Sequence, residues 1–92
     1  MTKVYVVIGD ASQWDDSERW LVAYSPERTK AHALAGVLNA AAKNLSKNPC
    51  QASIDTLVGM DPQVKQFIGM NLIGYSVIEV NEIQFVPVAS IQ

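Results

Sequence analysis

The chain has 92 residues, of which 49% are apolar and 17% are charged, and its formal net charge is −2. This length suffices for one domain with one hydrophobic core, and the apolar content excludes an intrinsically disordered chain. The seven basic residues are scattered and outnumbered by nine acidic ones. We therefore expect no nucleic-acid partner, because nucleic-acid-binding surfaces concentrate Lys and Arg on one face.

The cysteine content and the N-terminal residues indicate a compartment. Cys50 is the single cysteine, so neither an intramolecular disulfide nor a cysteine-based zinc site is expected. The apolar run VYVVI near the N terminus is too short for a signal-peptide core or a membrane span. These features predict a cytoplasmic protein without a membrane partner.

The first 24 residues predict two strands. Residues 3–8, KVYVVI, are β-branched and aromatic on both faces, and residues 19–24, RWLVAY, form a second strand-like run. Residues 9–18 between them are mostly Gly, Asp, Ser and Gln around Trp14, which is turn chemistry. The pattern predicts an antiparallel hairpin with a long polar loop.

A long helix is predicted next. Ser25-Pro26-Glu27 provides an N-cap serine, proline at the first helical position and an acid in the first turn. Apolar residues at helical spacing extend the helix to about Lys43 or Leu45. A neighbouring face carries the small residues Ala33, Gly36 and Ala40, which would let another backbone come close.

The remaining residues predict shorter elements. Asn48-Pro49 is consistent with a short helix that ends at Gly59, and Asp61-Pro62 repeats the cap-plus-proline signature before a helix of about two turns. Residues 74–80, GYSVIEV, predict a strand. A possible continuation or edge strand is indicated by Ile83, Phe85 and Val88.

The order of these elements predicts a single α+β domain over residues 1–92. It would consist of a small antiparallel sheet in the order β-β-α-α-β, with a fourth edge strand as an alternative, and with the helices packed on one face.

These features resemble small, uncharacterised proteins of tailed phages and prophages. The shared features are the Tyr5-x-Val7 strand, the polar loop, the Trp20-x-Val22 strand, a helix ending near Leu38-Asn39, the Asp61-Pro62 segment and the closing Tyr75-x-Val77-x-x-Val80 strand. The resemblance covers most of the chain, which is longer between Ala42 and Met60 than the shortest of those proteins. It implies a phage or prophage origin and the α+β shape, but no activity, substrate or catalytic residue.

The acidic residues of the polar loop are candidates for a metal-binding or catalytic site. Asp10, Asp15, Asp16 and Glu18 offer oxygen ligands for a hard cation, but their spacing does not reproduce the EF-hand pattern. Mimicry of nucleic-acid phosphates needs a long, dense negative surface, which this balanced charge does not provide. A solvated hairpin loop explains the same acids, so no metal or other cofactor is expected.

Other candidates for catalysis are isolated. His32 is the only histidine, and no nucleophile elbow accompanies it. Cys50 has no neighbouring positive group, so its thiol pKa is expected near the ordinary value of about 8.5 and the residue is expected to be buried or half-buried. The glycines form no phosphate-binding motif. A chain with so few candidate acid-base groups is more readily interpreted as a binding protein than as an enzyme.

The two tryptophans have different expected roles. Trp20 alternates with Val22 and Tyr24 and is predicted to lie in the core or to pack between elements. Trp14 lies among acids in the loop, and two interpretations remain open: an exposed anchor for a partner or an indole folded onto its own core.

The leading hypothesis is a non-enzymatic phage or prophage accessory protein that binds a host or phage protein, with inhibition of a host factor or defence system as one outcome of that binding. Its predicted contact residues are Trp14, Asp15, Asp16, Glu18, Ala33, Gly36 and Ala40. Two alternatives stay open: a small-molecule or metal-binding domain or minor enzyme that uses residues 10–18 with His32, and a structural homodimer.

Overall fold

The computed structural model describes residues 3–70 and 72–81. The elements of this part are β1 (Lys3–Gln13), β2 (Asp16–Ser25), α1 (Arg28–Lys47), α2 (Gln51–Met60), a 3₁₀ helix (Pro62–Phe67) and β3 (Leu72–Asn81). The suggested edge strand through Ile83, Phe85 and Val88 lies outside the described residues. No helix within the described ranges is long and apolar enough to cross a membrane.

The three strands form an antiparallel sheet in the order β2-β1-β3. The helix α1 packs against all three strands, and α2 packs against α1. Buried side chains from the sheet and the helices meet in one core, which includes Val7, Ala11, Leu38, Leu57 and Val64. The predicted α+β class is therefore confirmed.

The central strand β1 is buried on both faces. Val7 belongs to the core shared with the helices, whereas Val4 and Val6 alternate with it and are 4% and 1% exposed on the opposite face. Across the sheet Val6 pairs with Tyr24 on one side and with Ile78 on the other. Burial of both faces explains why this strand has a nearly continuous apolar sequence.

The predicted long loop between the first two strands is wrong. β1 continues to Gln13, β2 begins at Asp16, and only Trp14 and Asp15 form the turn. Residues 8–12 of β1 pair with both neighbouring strands, and Ala11 is fully buried. Polar residues in this stretch hide the strand from sequence patterns, because their side chains can point to solvent while the backbone pairs.

The start of α1 also differs from the prediction. Ser25 pairs with Tyr5 as the last residue of β2, and its Oγ accepts the backbone N–H of Glu27 at 3.0 Å. Glu27 is the residue that precedes the helix, so α1 begins at Arg28 and extends to Lys47. The predicted apolar spacing is confirmed by the buried residues Ala31, Ala35, Leu38 and Ala42.

The second half contains two further differences. α2 continues through Gly59 to Met60, and the helix predicted after Asp61-Pro62 is a 3₁₀ helix of six residues. Asp61 does not cap this helix with its side chain. Its carboxylate instead accepts hydrogen bonds from Trp20 and Tyr75 in the core. The predicted capping role of Asp61 is therefore wrong.

Candidate functional site

The most exposed large apolar side chain in the described part of the chain is Trp14, at 89%. It lies in the turn that joins β1 to β2, and every residue from Trp14 to Arg19 is exposed. We call these six residues the hairpin tip. The indole of Trp14 is therefore exposed and is not folded onto the core of its own chain.

The backbone at Trp14 lies in the left-handed region, with φ of 57°. Gln13 pairs with Asp16, so Trp14 is the first of two central turn residues. A positive φ at that position alone is typical of a type II′ turn, where glycine is preferred. The left-handed conformation costs an L-residue about 1–2 kcal/mol. The bulky, exposed indole of Trp14 therefore occupies a turn position at which glycine is the preferred residue.

The hairpin tip and its flank concentrate negative charge. Residues 10–19 contain four of the nine acids and one of the seven bases, so their net charge is −3. The other residues together have a net charge of +1, which gives the total of −2. Asp10 lies 4.0 Å from Arg19, its cross-strand partner. Among the described residues Asp15, Asp16 and Glu18 have no ion-pair partner. Their charges are available to an approaching molecule.

The base of the hairpin is fixed by a cross-strand arrangement. Gly9 pairs with Trp20 on one side and with Tyr75 on the other. The indole of Trp20 occupies the space that a side chain at Gly9 would fill. Trp20 Nε1–H and Tyr75 O–H each donate to Asp61 Oδ2 at 2.8 Å. One carboxylate thus joins β2, β3 and the end of α2.

Aromatic packing completes this arrangement, which we call the Asp61 cluster: Trp20, Asp61, Phe67 and Tyr75. The rings of Trp20 and Phe67 stack with centroids 4.4 Å apart, and Tyr75 meets Trp20 edge-on at 6.2 Å. Burial and the hydrogen bond to Asp61 raise the pKa of Tyr75 well above its ordinary value. Because Asp61 is only 1% exposed, its carboxylate is out of reach of a substrate. The cluster positions the hairpin rather than performing chemistry.

The small residues predicted as a second contact surface lie on α1. Ala33, Gly36 and Ala40 are all exposed, and a Cβ atom at Gly36 would meet nothing within 4 Å. Val37, between them, is 54% exposed. The structure therefore places these residues together on one open helix surface, on a different element from the hairpin tip.

The isolated residues weighed for catalysis are both exposed. His32 lies on α1, and Cys50 precedes α2. The expectations for Cys50 are wrong in two respects: it is exposed, and hydrogen bonding to Ser53, whose Oγ lies 3.4 Å from Sγ, lowers the pKa of its thiol. Within residues 3–70 and 72–81, no group of three or more His, Cys, Asp or Glu side chains is arranged to hold a metal ion.

Comparisons with protein-family models, curated proteins and solved structures give no match for this chain.

Proposed function

We propose that this chain acts without catalysis, by binding another protein through the hairpin tip with Trp14 as the anchor. The observation that carries the proposal is the combination of 89% exposure and a left-handed backbone at a tryptophan. The fold gains no core contact from this side chain and would accept glycine more easily. Strain at a single exposed residue motivates a functional hypothesis, because such residues cluster at binding sites.

A tryptophan suits this role for energetic reasons. Trp is among the residues most enriched at the centres of protein interfaces, where burial of one indole contributes a large part of the binding free energy. The two-residue turn and the Asp61 cluster hold the hairpin in one conformation. A preorganised anchor loses less conformational entropy on binding than a flexible loop would.

The charge around Trp14 favours a partner with a basic surface next to an apolar pocket. Asp15, Asp16 and Glu18 are exposed on the strand and turn that carry the indole. Complementary charge mainly accelerates association and rejects acidic partners, while the buried aromatic group supplies affinity. We therefore expect binding to weaken as the salt concentration rises.

The biological setting of the proposal depends on the resemblance to small tailed-phage proteins. In that setting the partner is a host or phage protein, and binding blocks a host factor or defence system by occupying its surface.

The experiment is an affinity capture from bacterial lysate with four baits: the wild-type chain, Trp14→Gly, the double variant Asp15→Asn and Asp16→Asn, and Val37→Ser. Trp14→Gly removes the indole and keeps a residue that the turn accepts. Val37→Ser is the matched control, because it removes an exposed apolar side chain from α1. Each captured protein is then purified and titrated against all four baits at low and high salt.

We expect one protein with a basic surface to bind the wild-type chain and Val37→Ser equally, and to lose most of its affinity for Trp14→Gly. The double variant should bind it more weakly at low salt only. Equal binding to Trp14→Gly, or no saturable partner at all, would contradict the proposal.

A second candidate function is self-association through α1. Ala33, Gly36, Val37 and Ala40 form an exposed, uncharged strip, and small residues permit close approach of a second helix. Light scattering at several concentrations tests it with Ala33→Glu, which places a charge in the strip. A wild-type dimer that becomes a monomer in this variant would support self-association, whereas a wild-type monomer at millimolar concentration would exclude it.

A further inference from the structure

A second feature of the surface, unrelated to the hairpin tip, is a groove between α1 and the start of β3. Its volume is about 680 Å³, which lies within the roughly 300–1,000 Å³ typical of small-molecule sites. Apolar side chains from α1, α2, β3 and the segment that follows the 3₁₀ helix line it: Leu45, Ile54, Ile68, Met70 and Ile73. All five are half-buried. We call it the α1–β3 groove.

The backbone around the groove explains its concave shape. Gly69 has φ of 106° and turns the chain away from the 3₁₀ helix, and an isolated bridge joins Ile68 to Met70. Ile68 and Met70, on either side of Gly69, both line the groove. Leu72, at the start of β3, extends the apolar lining into solvent at 69% exposure.

Among the described lining residues, the polar side chains all come from α1. Asn39, Lys43 and Ser46 follow one another at helical spacing and line one wall. The amide of Asn39 is already used, because it exchanges two hydrogen bonds of 2.9 Å with the backbone of Tyr75. Lys43 is exposed and has no ion-pair partner among the described residues. The ammonium group of Lys43 is therefore free, among the described residues, to pair with an anion at the edge of the apolar lining.

We propose that the α1–β3 groove binds a small amphipathic carboxylate, namely a single unbranched hydrocarbon chain with one carboxylate at its end. The hydrocarbon covers the apolar lining, and the removal of both apolar surfaces from water favours binding. The carboxylate pairs with Lys43 Nζ and accepts a hydrogen bond from Ser46 Oγ. Charge complementarity selects this ligand over a neutral one, because the described lining residues include the cation Lys43 and no carboxylate.

The test uses dodecanoate, with dodecanol as the neutral probe, below the concentration at which either aggregates. Calorimetry gives the affinity, and methyl NMR shifts of Met70 and Ile73 locate the probe. The variants are Lys43→Gln and the matched control Lys47→Gln, since Lys47 lies in the last turn of α1 and does not line the groove.

We expect saturable binding of dodecanoate with shifts at Met70 and Ile73. Affinity should fall roughly three- to fivefold in Lys43→Gln, the effect of one partly exposed ion pair, and stay unchanged in Lys47→Gln. Dodecanol should bind both lysine variants and the wild-type chain equally. Absence of dodecanoate binding, or equal affinity of Lys43→Gln, would overturn the proposal.

A second arm identifies the competing occupant, another copy of this chain. Light scattering compares the wild-type chain with Leu72→Ser, a substitution at an exposed residue of the groove that leaves the core intact. A monomeric wild-type chain that binds dodecanoate agrees with the small-molecule site. A wild-type dimer that Leu72→Ser dissociates would assign the groove to self-association and overturn it.

Discussion

Trp20 donates its indole N–H to Asp61, a residue 41 positions later in the chain, at 2.8 Å and out of contact with solvent. This hydrogen bond joins β2 to the end of α2. The same carboxylate oxygen also accepts the hydroxyl of Tyr75 at 2.8 Å. Because a buried charge is tolerated only when it is hydrogen-bonded, the two aromatic donors explain why an acid occupies the core.

Replacement of Asp61 by alanine should destabilise the chain strongly. It leaves the N–H of Trp20 and the hydroxyl of Tyr75 without an acceptor, and each unsatisfied buried donor costs about 1–3 kcal/mol. We therefore expect the free energy of unfolding, measured by urea denaturation, to fall by roughly 2–6 kcal/mol. Asp61→Asn, which retains an acceptor oxygen, should lose less than Asp61→Ala. Asp16→Ala, at an exposed acid, is the control and should change stability little; a similarly small effect of Asp61→Ala would contradict this account.

Gly9→Ala should also destabilise the chain, for a steric reason. A methyl group there would overlap the indole of Trp20, so the ring must move and its hydrogen bond to Asp61 must lengthen. Forcing an additional methyl group into a packed core costs roughly 1–3 kcal/mol. Thermal unfolding with tryptophan fluorescence measures both the stability and the displaced ring. Trp20→Leu destabilises the chain by itself, but in that background Gly9→Ala should cost less than in the wild-type chain, because the overlapping ring is gone. An unchanged melting temperature in the Gly9→Ala single variant would contradict the packing argument.

Tyr75 gives the chain a dependence on alkaline pH. Burial and its hydrogen bond to Asp61 raise the pKa of Tyr75 in the folded state, whereas the unfolded chain has the ordinary value of about 10. Below pH 10 the Tyr75 hydroxyl is protonated in both the folded and the unfolded chain, so its full contribution to stability is present. Above pH 10 only the folded state retains it, so the Tyr75 contribution to the free energy of unfolding falls by about 1.4 kcal/mol per pH unit.

Tyr75→Phe removes this dependence and isolates the contribution of the hydroxyl. Urea denaturation between pH 8 and pH 12 should show the variant less stable than the wild-type chain by roughly 1 kcal/mol at pH 8. The difference should narrow and then reverse above pH 10. If the free energies of unfolding of the two proteins changed in parallel with pH, the Tyr75 proton would not contribute to the pH dependence of stability.

The helices and strands could be predicted from the sequence only where their apolar residues recur with a clear period. The four buried residues of α1 recur at helical spacing, and a strong period survives any tertiary context. Residues 9–13 of β1 gave no such signal, because their polarity is compatible with a loop and only pairing with two neighbours makes them a strand. The function of Asp61 was equally hidden. Asp before Pro is a common cap, and nothing local indicates that the carboxylate contacts Trp20 and Tyr75.

The candidate site was predicted in part. The sequence indicated Trp14 and the neighbouring acids as a contact surface, but an indole in a turn is compatible with either burial or exposure. The choice depends on turn length, and the two-residue turn leaves this side chain no path back to the core. The α1–β3 groove could not be predicted, because it forms from residues of separate elements that become neighbours only in the folded chain.

Gly36→Ala should stabilise the isolated chain. Gly36 lies within α1, and a Cβ atom there would meet nothing within 4 Å. Alanine is favoured over glycine inside a helix by about 0.8–1.0 kcal/mol, so the free energy of unfolding should rise by nearly that amount. Thermal unfolding measures it, with Gly59→Ala in α2 as a second open position. A loss of stability that grows with protein concentration would instead indicate that a second copy packs closely on Gly36.

Trp14→Gly and Trp14→Ala separate the strain of the turn from the loss of the indole. Both variants remove an exposed ring, but only alanine keeps a side chain in the left-handed region at φ of 57°. Glycine avoids that conformational cost of about 1–2 kcal/mol. About 0.5–1 kcal/mol of this gain is offset, because glycine makes the unfolded chain more flexible and so raises the entropy lost on folding. Trp14→Gly should therefore be more stable than Trp14→Ala by roughly 0.5–1 kcal/mol in urea denaturation. If glycine proved no more stable than alanine, the turn would carry no strain, and the energetic argument for a binding role of Trp14 would lose its basis.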